Sequence, residues 1–264
     1  MRVVVWNVRK ASTHSPAWDY LLDLQPDVAL IQDARLVPDK VRAVYEVATD
    51  QTAFHPRSAG QHMSAILAKG RIGPFQPLPV PTYWLRDAVA EWREYFTTRR
   101  IELESGEVLN AMSVYSLAVP VPRHHWQNQD TEGIQLPENR DIWATELMWS
   151  ILSLIPTIIT EPWIAGGDLN SSVSFDVPKP RGNQRILDRM QEIGMPNIAR
   201  WEGFAERPTF RHSRGGFRQQ LDYLFANQLV SQHLDRIDLG DPTTIFAPRP
   251  MLSDHLPIIA DFRI

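Results

Sequence analysis

The sequence predicts a mixed α/β sandwich, and three observations predict it. Short β-branched runs recur along the whole chain, helical patterns lie between them, and both ends read as strands: Val3 to Trp6 at one, Ile258 to Phe262 at the other. The runs between are Val28 to Ile31, Ala65 to Ala68, Val108 to Val119, Trp163 to Ala165 and Leu221 to Phe225. Strands fall on both sides of each loop-like stretch, so residues 1–264 are expected to form one domain.

Each helix has its own start and stop signals. Ser15-Pro16-Ala17-Trp18 places a capping serine before a proline at the first helical position. Trp18, Leu21, Leu22 and Leu24 then make an apolar stripe that ends near Gln25-Pro26. A second helix is expected from about Arg140 to Leu154, and a third from about Gln184 to Ile193, closed by Gly194 where a left-handed residue is favoured. Two stretches read as loops, Pro120 to Glu138 and Ser171 to Asn183; both exceed the usual connection length, and long loops on compact domains often carry function.

Composition narrows the chemistry. With 43% hydrophobic and 22% charged residues the chain is an ordinary globular protein, neither disordered nor fibrous. Zero cysteines exclude disulfides, iron-sulfur clusters, thiolate zinc and cysteine nucleophiles, which leaves oxygen and imidazole as metal ligands. A net charge of −4 rules out a globally basic nucleic-acid binder but not a local basic patch. The first residues lack a secretory cleavage site, and the longest uncharged apolar stretch, Leu147 to Thr160, is too short and too interrupted to span a bilayer. A cytoplasmic protein is expected.

Polar residues recur at the ends of apolar strands. Trp6-Asn7-Val8 ends the first run, and Gln32-Asp33 ends the second. Gly166-Gly167-Asp168-Leu169-Asn170 follows the run from Trp163, and two glycines before Asp and Asn aim a carboxylate and an amide from one turn into a shared space; an ordinary Asp/Asn turn is the alternative. Gln220-Leu221-Asp222-Tyr223 puts an acid inside an apolar strand, where a lone carboxylate is costly without a partner. Ser253-Asp254-His255 precedes the final strand, and His255 is the candidate partner for Asp222, although a histidine so placed can also be purely structural.

Taken in order, these five motifs resemble the endonuclease/exonuclease/phosphatase superfamily of pancreatic-type DNases, abasic-site endonucleases, inositol polyphosphate phosphatases and neutral sphingomyelinases. The resemblance runs from Asn7 to Asp254-His255, supported by Ser64-Ala65-Ile66-Leu67, Pro208-Thr209-Phe210 and Ala260-Asp261-Phe262. It implies a four-layer α/β sandwich: two mixed β-sheets packed face to face and flanked by helices. It also implies a divalent-metal site, Mg²⁺ or Mn²⁺, at Asn7, Asp33 and Asp254. Asp168 is implied to activate water and Asn170 to fix the phosphate. His255, oriented by Asp222, is implied to contact a phosphate oxygen or protonate the leaving group. Asp33 stands where the family normally has glutamate, and Asn7-Val8-Arg9 lacks the acid that some relatives place shortly after the asparagine. Tyr115 matches a tyrosine of the abasic-site endonucleases or is a core aromatic; many other members have a histidine near Ser116.

Cations favour a polyanionic substrate. Arg207, Arg211, His212, Arg214 and Arg218 surround Gly215-Gly216 with no acid among them, and Arg123-His124-His125-Trp126 forms a second basic and aromatic cluster. Arg123, His124, Arg211, Arg214 and Arg218 are therefore the expected substrate contacts, and Arg99-Arg100 reads as a solvated strand face. The expected function is metal-dependent hydrolysis of phosphodiester bonds in nucleic acid. The alternatives are a phosphatase or phospholipase acting on an inositol phosphate, lipid head group or small organophosphate, and a non-catalytic binding module of the same fold.

Overall fold

A computed structural model of the protein describes residues 1–50, 63–75, 77–80, 82–200, 206–212, 216–247 and 250–263. Its strands are β1 (Arg2–Ala11), β2 (Val28–Ala34), β3 (Glu46–Thr49), β4 (Met63–Ala68), β5 (Gly70–Ile72), β6 (Phe96–Leu103), β7 (Val108–Tyr115), β8 (Trp163–Asp168), β9 (Phe210–Arg211), β10 (Phe217–Gln219), β11 (Asp222–Ala226), β12 (Leu234–Leu239) and β13 (Ile258–Phe262). The helices are α1 (Ala17–Leu24), α2 (Asp39–Arg42), α3 (Tyr83–Glu91), α4 (Arg123–Trp126), α5 (Ala144–Leu152), α6 (Asn183–Glu192), α7 (Gln228–Ser231) and α8 (Pro242–Phe246). One sheet runs β12-β13-β1-β2-β4-β3 and the other β11-β8-β7-β6-β5, with β9 and β10 as a separate hairpin. Both sheets are mixed: β1 is parallel to β2 and β7 to β8, while the other pairs are antiparallel.

Strand periodicity makes the layers. Along β8, Ile164 joins the core between the sheets, whereas Trp163 and Ala165 join the core under α3, α5 and α6. Leu224 and Ala226 likewise face the other sheet while Tyr223 and Phe225 face the helices. This alternation is the signature of a sheet covered on both sides by different layers. On the far side, Trp6 meets Tyr20 of α1 edge to face at 5.6 Å, and Trp18 and Leu21 are buried. The four-layer α/β sandwich expected from the sequence is the observed architecture.

The element boundaries differ in instructive ways. The second helix starts at Ala144 rather than Arg140, because Glu146 reaches back to accept from the amides of Trp143 (2.7 Å) and Leu136 (2.6 Å), which fixes the chain before the helix. The run from Val108 stops as a strand at Tyr115, where the Ser116 amide donates to the Asp168 carbonyl. Asp168 is itself the last residue of β8, three positions beyond the apolar run. Each long loop contains a short turn of helix, α4 in one and a 3₁₀ turn, Val173–Asp176, in the other. Arg99 is a correction: its side chain is not solvated but buried, ion-paired with Asp50 and lying over the Phe75 ring at 5.5 Å. It follows Thr97 and precedes Ile101 at every second position, so strand parity turns it inward, and Asp50 compensates the charge. Arg100, of the opposite parity, is exposed and pairs with Glu161 at 2.6 Å.

Gly167 holds the two central strands of the second sheet together. Its φ of 153° is one that glycine adopts readily, and a Cβ there would lie 1.8 Å from the Val114 carbonyl oxygen. Gly167→Ala is expected to destabilise the fold by about 3 kcal/mol, the upper end for overpacking. An unchanged urea midpoint would contradict that close approach.

Candidate active site

The same parity that builds the core assembles the site. Asn7 follows Val3 and Val5 on the inner face of β1, and Asp168 follows Ile164 and Gly166 on the inner face of β8. The two side chains meet across the gap, with Asn7 Nδ2 donating to Asp168 Oδ2 at 2.8 Å. One step along, Gln32 Nε2 of β2 donates to Ser113 Oγ of β7 at 3.0 Å, and Ser113 Oγ donates to the Ile31 carbonyl. These polar cross-ties mark the end of the sandwich where the apolar core stops and the chemistry begins.

Asp168 and Asp222 lie directly opposite each other in the β8–β11 register, so two buried carboxylates share one space. Between them stands His255. Its Nδ1 is 2.8 Å from Asp222 Oδ2, and its Nε2 is 3.8 Å from Asp168 Oδ2. The ring is 4% exposed and packs on Phe210, centroids 4.8 Å apart. The C-terminal approach to β13 is tied to β1: Ser253 Oγ donates to the Asn7 carbonyl at 2.6 Å, the His255 amide donates to Ser253 Oγ, and the Trp6 indole donates to the His255 carbonyl.

Electrostatics follow from the burial. Asp168 is raised to about 7, first by burial and then by the Asp222 charge, against the pull of His255 and the donors Asn170 and Asn7. His255 feels burial pulling its imidazolium down, but Asp222 and Asp168 outweigh it and hold the ring protonated, raised to about 10. The Asp222–His255 pairing expected from the sequence is thus formed. Asp168, Asp222 and His255 also bring one ligating atom each to within 4.8 Å of one another, the spacing of a metal cluster.

The other predicted residues converge on the same end. Asn170 is left-handed, φ 46°; its amide donates to Asp168 Oδ1 at 2.9 Å and its side chain to the Ser116 carbonyl at 2.6 Å. Asp33 is left-handed too, φ 55°, and accepts from the Lys10 amide at 3.2 Å. Burial, with the Asp254 charge adding to it, raises Asp33 to about 6, while Lys10 opposes the shift. Tyr115 lies opposite Asp168 in register, and burial and then the Asp33 charge push its phenol well above the ordinary range. Arg9, Lys10, Asp33 and Asn170 are four of the six non-glycine residues with positive φ among the described residues, so backbone strain concentrates at this end of the molecule.

Asn7, Asp33 and Asp254 offer only oxygen donors, a set that suits a hard divalent cation such as Mg²⁺ or Mn²⁺. The residues therefore fit the group. One feature absent from the family pattern intrudes: Arg9, standing near the missing acid, places Nε 3.3 Å from Asp254 Oδ2, and its amide donates to Asn7 Oδ1 at 2.9 Å.

The expected substrate cations fare unevenly. Arg211 is exposed at the edge of the site, its amide bonded to the Asp254 carbonyl and its guanidinium 5.5 Å from the Phe246 ring centre. Arg123 is paired with Asp141 at 2.8 Å, and His124 turns toward Glu91, so neither presents an uncommitted charge to the site. Arg214 and the side chain of Arg218 lie outside the described residues. Sequence reasoning missed a cleft of about 480 Å³ beside Asn170, lined among others by Ser116, Arg140, Trp143, Phe175 and Arg181. Arg181 comes from the second long loop, and Arg140 from the stretch before α5 that the sequence reading assigned to the helix.

No protein-family model and no curated protein matches the sequence, whereas solved structures match it along its whole length. The fold these structures share with the chain is the DNase I-like α/β sandwich. An abasic-site (AP) endonuclease from Archaeoglobus fulgidus aligns over 100% of both chains, with TM-score 0.68 and 16% identity. The AP endonuclease LMAP from Leishmania major aligns over 100% of this chain and 87% of its own, with TM-score 0.67 and 16% identity. The 3'-5' exonuclease NExo from Neisseria meningitidis aligns over 100% of both, with TM-score 0.65 and 14% identity.

Proposed function

We propose that residues 1–264 act as one domain, a divalent-metal-dependent phosphodiesterase that hydrolyses nucleic acid. The single observation that carries this reading is His255, buried between Asp222 and Asp168 at the same strand ends as Asn7 and Asn170. A phosphodiester repels nucleophiles by its own charge, so a catalyst must neutralise that charge, aim water and stabilise the departing oxygen. Asp168 is the acceptor for the attacking water, whose oxygen forms the new bond to phosphorus as the ester oxygen leaves. Asn170 positions the phosphate by turning the Nδ2 hydrogen that reaches Asp168 Oδ2 at 3.2 Å to the substrate oxygen. Asp222 fixes Nδ1 of His255, which leaves the Nε2 proton for a phosphate oxygen or the leaving group. Asn7, Asp33 and Asp254 hold Mg²⁺ or Mn²⁺, which when bound supplies charge neutralisation at the phosphate.

Two features support nucleic acid as substrate. The cleft beside Asn170 combines Arg140 and Arg181 with Trp143 and Phe175, cations for a backbone and rings for bases. The neighbouring structures include endonucleases and an exonuclease, and one of them, NExo, is bound to a product DNA hairpin. That NExo structure is also described as a 3' phosphatase, which favours monoester hydrolysis as the second reading. Supercoiled plasmid, a single-stranded oligonucleotide and an inositol phosphate, each with Mg²⁺ or Mn²⁺, separate the readings. Nicking or shortening of nucleic acid is the expected result. Phosphate release from the monoester alone would replace it with the second reading, and neither reaction from folded protein would leave a binding module.

The short Asp33 side chain has its own consequence. One methylene less than glutamate reduces the reach by about 1.5 Å. Asp33→Glu is expected to lower the Mg²⁺ concentration for half-maximal rate by on the order of tenfold, the low end for changes around a metal site. A Mg²⁺ titration with an unchanged midpoint would show that Asp33 is not a limiting ligand.

A further inference from the structure

We propose that Glu91, His124 and His125 form a second metal site, for a divalent transition ion of the zinc class. Two groups of three ligating side chains come together among the described residues, the active-site trio and this one. Here Glu91 Oε2 lies 2.7 Å from His125 Nε2 and 3.8 Å from His124 Nε2. Adjacent residues of a helix project about 100° apart, yet these two rings lie with centroids 4.1 Å apart and both aim Nε2 at one carboxylate oxygen. A hydrogen bond needs only one of them. The second, on a side chain 68% exposed, stands outside hydrogen-bond range of Glu91, a gap that an ion between them would close.

The donors suit zinc in number, kind and spacing. Two imidazoles and one carboxylate leave a fourth position for water, a known arrangement for Zn²⁺. Ligands at 2.0–2.1 Å in a tetrahedron lie about 3.3 Å from one another, and the three donor atoms here are all within 4.8 Å, so small side-chain rotations close the site. The competing cation is removed, since Arg123 is turned to Asp141 and lies over Trp126. Glu91 is the last residue of α3, where a carboxylate faces the negative end of the helix and a cation is favoured. The site joins α3 to α4, and α3 is also tied to the same loop by the Trp84 indole bonding the Asp130 carbonyl at 3.1 Å. A bound ion would therefore anchor the stretch that leads to Arg140 and Trp143 of the cleft.

The site does not depend on the hydrolytic reading, and its test does not use activity. Metal-free protein in excess Mg²⁺, which occupies hard oxygen sites, is titrated with Zn²⁺ by calorimetry and with Co²⁺ by visible absorption. One Zn²⁺ per chain is expected, with Co²⁺ giving a tetrahedral or five-coordinate spectrum. His124→Ala and His125→Gln are each expected to weaken Zn²⁺ at least tenfold, while Asp33→Ala leaves that binding within twofold. His124 is exposed, so its loss does not threaten folding, and glutamine at 125 keeps a donor for Glu91. No Zn²⁺ binding by wild type, or binding that His124→Ala and His125→Gln leave unchanged, overturns the site.

Discussion

His255→Ala is expected to lower kcat for phosphodiester cleavage by on the order of 10³-fold or more, the loss typical of removing a donor aimed at developing charge. The ring has no freedom to be replaced by a neighbour: it is 4% exposed, held at Nδ1 by Asp222, packed on Phe210 and tied through its backbone to Trp6 and Ser253. Two carboxylates raise its pKa against the cost of burial, which favours the proton-donating form. KM is expected to change much less than kcat, because the contact strengthens as the phosphate gains charge. A variant that turns over at near-normal rate would show that His255 is structural, the reading a histidine before a terminal strand also allows.

Asp168→Ala is expected to cost a similar factor, with a different signature. Asp168 is almost fully buried, faces Asp222 across the strand pair, and is raised to about 7 by burial and that neighbour. Its removal relieves a like-charge contact but leaves the donors of Asn7 and Asn170 without their acceptor. Folding is therefore expected to persist while the rate falls by about 10³-fold or more. Combined with His255→Ala the losses should not add, since both groups serve one transition state. Additive losses in kcat would mean that the two act in separate steps.

How much of this was readable in the sequence depends on where each residue sits. Period-two alternation placed the cores, and because Asn7, Asp168 and Asp222 extend that alternation past the last apolar residue, their meeting follows from parity alone. The Asp222–His255 pair could be foreseen because a carboxylate in an apolar strand requires a partner. The resemblance then supplied roles that no spacing rule gives. What escaped lies in loops or in pairings between distant segments. Arg99 looked solvated because its acid, Asp50, belongs to a different strand connection. Arg123 and His124 looked like free cations because their partners, Asp141 and Glu91, are 18 and 33 residues away in sequence and meet them only after folding. Arg140 and Arg181 enter the cleft from two loops whose paths have no local signature. Arg9 was visible as a departure, but not its contact with Asp254.

Whether the strand-end cluster hydrolyses phosphodiesters with the help of a divalent ion is tested by conversion of supercoiled plasmid by wild type and by Asp168→Ala, with Mg²⁺ or Mn²⁺, after chelation, and after the ion is restored. Cleavage by wild type that chelation abolishes and added ion restores is expected, with no cleavage above background by the variant. Cleavage that survives chelation, or that Asp168→Ala performs at the wild-type rate, would contradict the proposed reaction.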